Sequence, residues 1–292
     1  MFRTDLFKGK RFLVTGGGTG LGRVMMEKLV ELGADCVICG RRGGVLKETA
    51  DAVMAKYPGR RVDFFTVDIR VATAVEEMIE QIWQTGPLDG LINNAAGNFI
   101  SQTKDLSPRG FDAIANIVLH GTFYMTNACG KRWIAEGRKA SVLSILTTWV
   151  WTGSPFVVPS AMSKAGVAVM TQSLAVEWGR HGIRLNAIAP GPFPTEGAWA
   201  RLSPEGDGGA DRYKTRNPMG RVGKMSELAN MAAFLMCEEV EYISGEIVAI
   251  DGAMGLMGNG TFSQMLSHTE DDWRRIRDTI QSTNAQDRAK RG

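Results

Sequence analysis

The feature that most constrains this 292-residue chain is a strict alternation of short apolar or β-branched runs with longer helical patterns. Strand candidates are Arg11 to Thr15, Cys36 to Gly40, Val62 to Val67, Leu88 to Ile92, Ser141 to Leu146, Ile183 to Ile188 and Glu246 to Ile250. Helical spacing fills Leu21 to Leu32, Gly44 to Tyr57, Val71 to Thr85, Phe111 to Glu136, Ala161 to Gly179 and Glu227 to Glu238. Such alternation predicts an α/β fold with a parallel sheet covered on both faces. Right-handed crossovers make it a doubly wound, seven-stranded sheet. The expected organisation is a single domain over residues 1–254, followed by an extension over 255–292. Ligands of such sheets bind beyond the carboxyl ends of the strands, so the loops there are where function is sought.

Composition removes several function classes. With 34 basic and 31 acidic residues the net charge is +3, too balanced for a nucleic-acid-binding stripe. No apolar run approaches the roughly 20 residues of a membrane span. Four cysteines are too few for a secreted disulfide scaffold. Cys36 and Cys39 have CxxC spacing, but in a buried strand they point to opposite faces, as core residues do. The histidines at 120, 181 and 268 show no metal spacing. Glycine is in excess, with 35 residues, and tight turns or close backbone approaches must use them.

The first strand runs directly into Thr15-Gly-Gly-Gly-Thr-Gly-Leu-Gly22. Gly16 permits the sharp turn, Gly20 a close approach of backbone to pyrophosphate, and Gly22 close packing of helix on sheet. Thr19 and Leu21 lie between them, where the helix N-terminus presents free N–H groups and its positive dipole end. This strand–turn–helix context predicts a dinucleotide site. The second strand ends in Gly40-Arg41-Arg42, with two cations and no acid. Arginine there suits the 2′-phosphate of NADP(H). After the third strand, Asp68 and Ile69 stand where they would flank the adenine; capping a helix is an equally common use for Asp68.

The fourth strand ends in Asn93-Asn-Ala-Ala-Gly97. Together with the TGxxxGxG turn, this resembles the short-chain dehydrogenase/reductase family, from Lys8 to about Gly252. The resemblance implies a Rossmann-type fold, a nicotinamide cofactor and a homotetramer or homodimer. It places Asn94, Ala95 and the Pro190-Gly191-Pro192-Phe193 segment against the cofactor. The family's active site combines Asn, Ser, Tyr and Lys, the last two spaced YxxxK. Here Ser160-Ala-Met-Ser-Lys164 keeps the lysine and replaces the tyrosine with serine. The family's serine falls on Thr147 and its helical asparagine on Asn116.

That replacement bears on the chemistry. An aliphatic hydroxyl is far less acidic than a phenol, whose ordinary pKa is about 10, and is a poor general acid for an alkoxide. Conjugate reduction of an unsaturated thioester avoids that demand, because charge spreads onto an oxygen that needs only hydrogen-bond donors. The segments Asn93 to Phe99, Phe156 to Ala161 and Pro190 to Pro192 are similar to those of the 2,4-dienoyl-CoA reductases, which carry SxxxK. The resemblance implies an acyl-CoA thioester substrate, reduced by NADPH to a 3-enoyl-CoA in fatty-acid β-oxidation. It implies that Lys164 binds the nicotinamide ribose, that Ser160 supports it, and that Asn98 holds the thioester oxygen. The subgroup's second donor, a tyrosine, falls on Trp149. Its indole N–H is a donor without an acidic role; donation to that oxygen and stacking on the acyl chain are both open. Asn116 has two readings, fixing a water for proton delivery or capping a helix irregularity. Phe99, Ser107 and Arg201 are substrate-side candidates, Arg201 towards the CoA phosphates.

Two segments interrupt the alternation. Residues 190–216 form a long Gly/Pro-rich stretch, as lids and binding loops do. In the tail, Thr269-Glu-Asp-Asp272 reads as a capping box opening one short helix, with Trp273, Ile276 and Ile280 on one face. That face fits docking on the chain's own surface, on a sister subunit, or over the substrate pocket. The chain start lacks an amphipathic Arg-rich leader and its end lacks a peroxisomal SKL-type signal, which points to a cytoplasmic, bacterial protein.

Overall fold

The computed structural model describes residues 1–195, 210–258 and 260–291. Its strands are β1 (Arg11–Thr15), β2 (Asp35–Gly40), β3 (Val62–Thr66), β4 (Gly90–Asn93), β5 (Ala140–Ile145), β6 (Ile183–Pro190) and β7 (Ile247–Ile250). They form one sheet in the order β3-β2-β1-β4-β5-β6-β7, with every pairing parallel. Strand order reverses between β1 and β4, and the crevice beyond their carboxyl ends is the binding position of such sheets.

The central strands are buried and largely apolar because both their faces are covered. Alternate side chains feed two separate cores. Phe12, Val14, Cys36, Ile38 and Ile92 pack with Met25, Met26 and Leu29 of helix α1 (Gly20–Glu31). Leu13, Val37, Cys39 and Leu91 pack on the other face with Ile79 of α3 (Ala72–Gln84) and Trp133 of α5 (Gly121–Ala135). The CxxC pair is thus split between the two cores, and burial pushes the Cys39 thiol up to about 12. Helix α2 (Gly43–Lys56) follows β2, and α4 (Pro108–Ala115) and α6 (Trp149–Thr152) are short helices after β4 and β5. Helix α7 (Val158–Gly179) lies so close to α5 that a Cβ on Gly130 would stand 2.4 Å from the Trp178 ring.

Some expectations are corrected. The helix expected from Phe111 to Glu136 is two helices, α4 and α5, joined by a π-helical turn at Asn116–His120. One extra residue in a turn leaves the apolar periodicity nearly intact, so sequence spacing does not reveal it. The tail helix runs from Glu270 to Arg291, much longer than expected. Its capping box forms: Asp272 Oδ2 accepts the Thr269 N–H at 2.7 Å and Thr269 Oγ1 accepts the Asp272 N–H at 3.3 Å. Trp273 and Ile280 stay exposed, so the face does not dock on the chain's own described surface. Among the described residues no helix is long and apolar enough to cross a membrane.

Candidate active site

The carboxyl ends of β1, β2, β4, β5 and β6 open into one cleft of about 1500 Å³. Its first wall is the turn between β1 and α1. Gly16 and Gly20 have left-handed backbone, with φ of 66° and 56°. A Cβ on Gly17 would fall 2.4 Å from Ile38, and one on Gly22 would fall 2.5 Å from the Gly16 carbonyl oxygen. Gly20 has nothing nearer than 3.6 Å, so backbone there is open to the cleft. Helix α1 begins after Thr19 with no side-chain cap and no acid in its first turn. Its first N–H groups are therefore left to a ligand, and anions are favoured there. This cradle fits a dinucleotide pyrophosphate.

The turn is tied to the β4 loop by a residue that the sequence reading passed over. Thr15 Oγ1 accepts the N–H groups of both Asn94 and Ala95 at 2.9 Å. Asn94 Nδ2 in turn donates to the Thr15 carbonyl at 3.0 Å. Asn94 and Ala95 line the cleft while bracing its glycine turn.

At the β2 end Arg41 and Arg42 line the cleft, both exposed, and Arg42 reaches Thr19 Oγ1 at 3.4 Å. Asp68 and Ile69 line it beside them. Helix α3 is preceded by Val71 rather than Asp68, so Asp68 is not its cap. The Arg70 guanidinium, hydrogen-bonded to Asp68, holds its carboxyl below the usual range, and Arg41 adds to that pull. The acid near this end of the cleft is thereby already neutralised.

The opposite end gathers Asn98, Thr147, Trp149, Ser160, Lys164, Pro190, Gly191 and Pro192 around one space. Lys164 and Ser160 sit on the first turns of α7 and are buried. Lys164 Nζ donates to the Ile145 carbonyl at the end of β5. Burial lowers its pKa to about 8. Asn98 Oδ1 accepts the Phe99 N–H at 2.9 Å, which commits the amide oxygen and leaves the amide nitrogen as the available group. Trp149 opens α6, and among the described residues its indole N–H has no protein acceptor. Two neutral donors thus line the same cleft as a buried cation and an aliphatic hydroxyl, a set of groups able to hold a developing oxyanion.

Other expected residues stand apart from this lining. Gly22 is buried against Asn94 and Gly16, a packing role. Phe193 is buried in the core, where Gly223 leaves room for its ring. Ser107 caps α4, accepting the Gly110 N–H at 3.1 Å, and Phe99 rests against Gly110. Asn116 is paired through Oδ1 with His120 Nδ1 at 2.9 Å across the π-helical turn, so it belongs to the helix irregularity. Arg201 and most of the 190–216 stretch lie outside the described residues.

The structure also adds residues that spacing could not find. Asp251, after β7, lines the cleft while Oδ1 and Oδ2 accept the N–H groups of Ala253 and Gly255 at 2.9 and 2.6 Å. Buried Asn217 donates to the Asp251 carbonyl at 2.8 Å across 34 positions of sequence. The Asp251-Gly252 pair was the available sequence signal, but only as the end of a strand.

A family model described as Enoyl-(Acyl carrier protein) reductase matches residues 16–255. The chain is 40% identical over 294 residues to a probable (3E)-enoyl-CoA-producing 2,4-dienoyl-CoA reductase 3 of Caenorhabditis elegans, covering 99% of this chain and 94% of that one. It is 40% identical over 249 residues to a probable (2E)-enoyl-CoA-producing 2,4-dienoyl-CoA reductase of Bacillus subtilis, covering 85% of this chain and 97% of that one. Among solved structures, a short-chain dehydrogenase from Bacillus anthracis superposes with a TM-score of 0.77 at 40% identity, covering 85% of this chain and 97% of that one.

Proposed function

The chain belongs to the short-chain dehydrogenase/reductase family of nicotinamide-dependent oxidoreductases, and from that premise we propose that it reduces 2,4-dienoyl-CoA thioesters to 3-enoyl-CoA with NADPH, in fatty-acid β-oxidation. The observation that carries this reading is the site built around Lys164. Its partner at the YxxxK position is Ser160, while Asn98 and Trp149 supply neutral donors on the same cleft.

Bound NADPH supplies the hydride. The residues that would hold it are the glycine turn and α1 N-terminus at the pyrophosphate, and Arg41 and Arg42 at the 2′-phosphate. Asp68 and Ile69 border the adenine side. Asn94, Ala95, Pro190, Gly191, Pro192 and Lys164 border the nicotinamide side. Lys164 is fixed by the Ile145 carbonyl, and Ser160 stands one helical turn before it on α7.

On the substrate side, Asn98 and Trp149 donate to the thioester oxygen as conjugation delivers charge to it. Both are neutral donors with no proton to lose at working pH, so they stabilise the dienolate without protonating its oxygen. The dienolate takes its proton from water at the α-carbon, which leaves the double bond at position 3. Protonation at the γ-carbon would give the 2-enoyl product named for the Bacillus subtilis relative.

The assembly we infer is a homotetramer. Its support is an outward stripe on α7, where Met162, Val169 and Val176 recur every seven residues at 57%, 61% and 85% exposure. Apolar side chains aligned in that way suit a subunit contact.

The test mixes pure protein with NADPH and 2,4-hexadienoyl-CoA, follows loss of NADPH absorbance, and identifies the product by NMR. NADPH-dependent formation of the 3-enoyl thioester is expected. Oxidation of NADPH with simple ketones alone overturns the reading, and NADPH binding without turnover on any thioester or ketone points to a cofactor-binding scaffold.

A further inference from the structure

Among the described residues, Phe156 and Ala253 are the non-glycine residues with left-handed backbone, at φ of 64° and 66°. The alanine has a local reason, since its N–H is drawn onto Asp251 Oδ1. The phenylalanine does not. A bulky side chain is poorly tolerated in this conformation, and Gly or Asn is the usual occupant. Core packing does not offset the strain either, because the residue is 53% exposed. Strain of this kind gathers at functional sites.

The position of Phe156 supplies the missing reason. It directly follows Gly153, Ser154 and Pro155, which line the cleft on the wall that carries Trp149. Its carbonyl accepts the Ser101 N–H at 2.9 Å. Ser101 belongs to the loop that carries Asn98 on the other wall. This one hydrogen bond therefore spans the two loops that present the thioester-oxygen donors. A glycine could make the same bond without strain, so the bond alone does not explain the ring. Ile100, next to the tie, and Trp151, on the Trp149 wall, are also exposed. Large apolar side chains are thus exposed on both of the tied segments, next to residues that line the cleft.

We propose that Phe156, with Ile100 beside it, is the platform for the hydrocarbon tail of the acyl chain beyond the reacting double bonds. This assignment rests on the thioester-reductase reading above and names its chain-length determinant. The exposed Phe156 follows Pro155 of the cleft lining without being part of that lining, so a longer acyl chain would reach it and a short one would not. Apolar contact then adds binding with each further methylene.

The test compares kcat/KM for 2,4-decadienoyl-CoA with that for 2,4-hexadienoyl-CoA, using NADPH and four full-length proteins: wild type, Phe156→Gly, Phe156→Asn and Phe156→Leu. Gly and Asn accept left-handed backbone and remove the ring, so both fold with a urea midpoint no lower than wild type. The long-to-short ratio is expected to drop about tenfold in these two and to be largely retained in Phe156→Leu. An unchanged ratio in the Gly and Asn variants, with the wild type active, overturns the platform alone. A change in assembly on size exclusion with the ratio intact also overturns it, in favour of a subunit contact. A wild type that ignores both thioesters overturns the thioester reading and this assignment with it.

Discussion

Lys164 donates from Nζ to the main-chain carbonyl of Ile145, and among the described residues no carboxylate pairs with it. A buried ammonium held by a neutral acceptor is easier to deprotonate than one in water, and burial brings its pKa to about 8 from 10.5. The sign of the pH effect follows. Between pH 8 and 10.5 the unfolded chain holds this proton more than the folded chain does, so stability rises with pH across that window. Activity is expected to run the other way: in the proposed role the charged, fully donating lysine is the working form, so kcat/KM falls above about pH 8. In Lys164→Met the stability rise disappears, turnover is lost, and stability at pH 7 increases by roughly 1–3 kcal/mol. Urea titrations and initial rates over a pH series check all of these.

Asn98 is the donor whose geometry is the most defined, since its amide oxygen is occupied by the Phe99 N–H. Asn98→Ala is expected to lower kcat on a dienoyl thioester by about 10²–10³, the scale of losing one oxyanion donor. Trp149→Phe keeps the ring and removes the N–H, and a kcat loss of at least about tenfold is expected. Steady-state kinetics on the two variants measure this; an unchanged kcat in Trp149→Phe reduces that ring to packing.

Arg41 and Arg42 stand exposed at the end of β2, and the neighbouring Asp68 is occupied by Arg70. Replacing both arginines with alanine is expected to raise KM for NADPH about tenfold or more, as charge-assisted phosphate contacts are lost. KM for NADH should change little. Comparing the two cofactors in one assay reads the preference directly.

Gly22→Ala tests the cradle. The new Cβ would lie 2.5 Å from both Asn94 Nδ2 and the Gly16 carbonyl oxygen, and the backbone partner cannot swing aside. Overpacking of this kind costs about 1–3 kcal/mol. The same shift displaces Gly16 and Asn94 on the cleft wall, so NADPH affinity falls as well. Denaturant unfolding and calorimetric titration with NADPH measure the two effects separately.

What could be read from the residues alone is what neighbours along the chain decide. Strand runs of Val, Ile and Leu and the glycine turn at Gly16–Gly22 carry their conformational demands locally, so the parallel sheet and the phosphate cradle were legible. So was the substitution at Ser160, because a spacing of four on a helix needs no tertiary information. The tertiary structure decided which groups meet. Thr15 binds the Asn94 loop, Asn217 reaches Asp251, and Phe193 turns into the core instead of the cleft. It also decided that Asn116 sits in a π-helical turn facing His120, and that Phe156 holds a conformation its residue type disfavours. Periodicity and backbone preference act over a few residues, whereas these contacts come from packing elements that are tens of positions apart, where the fold overrides local preference.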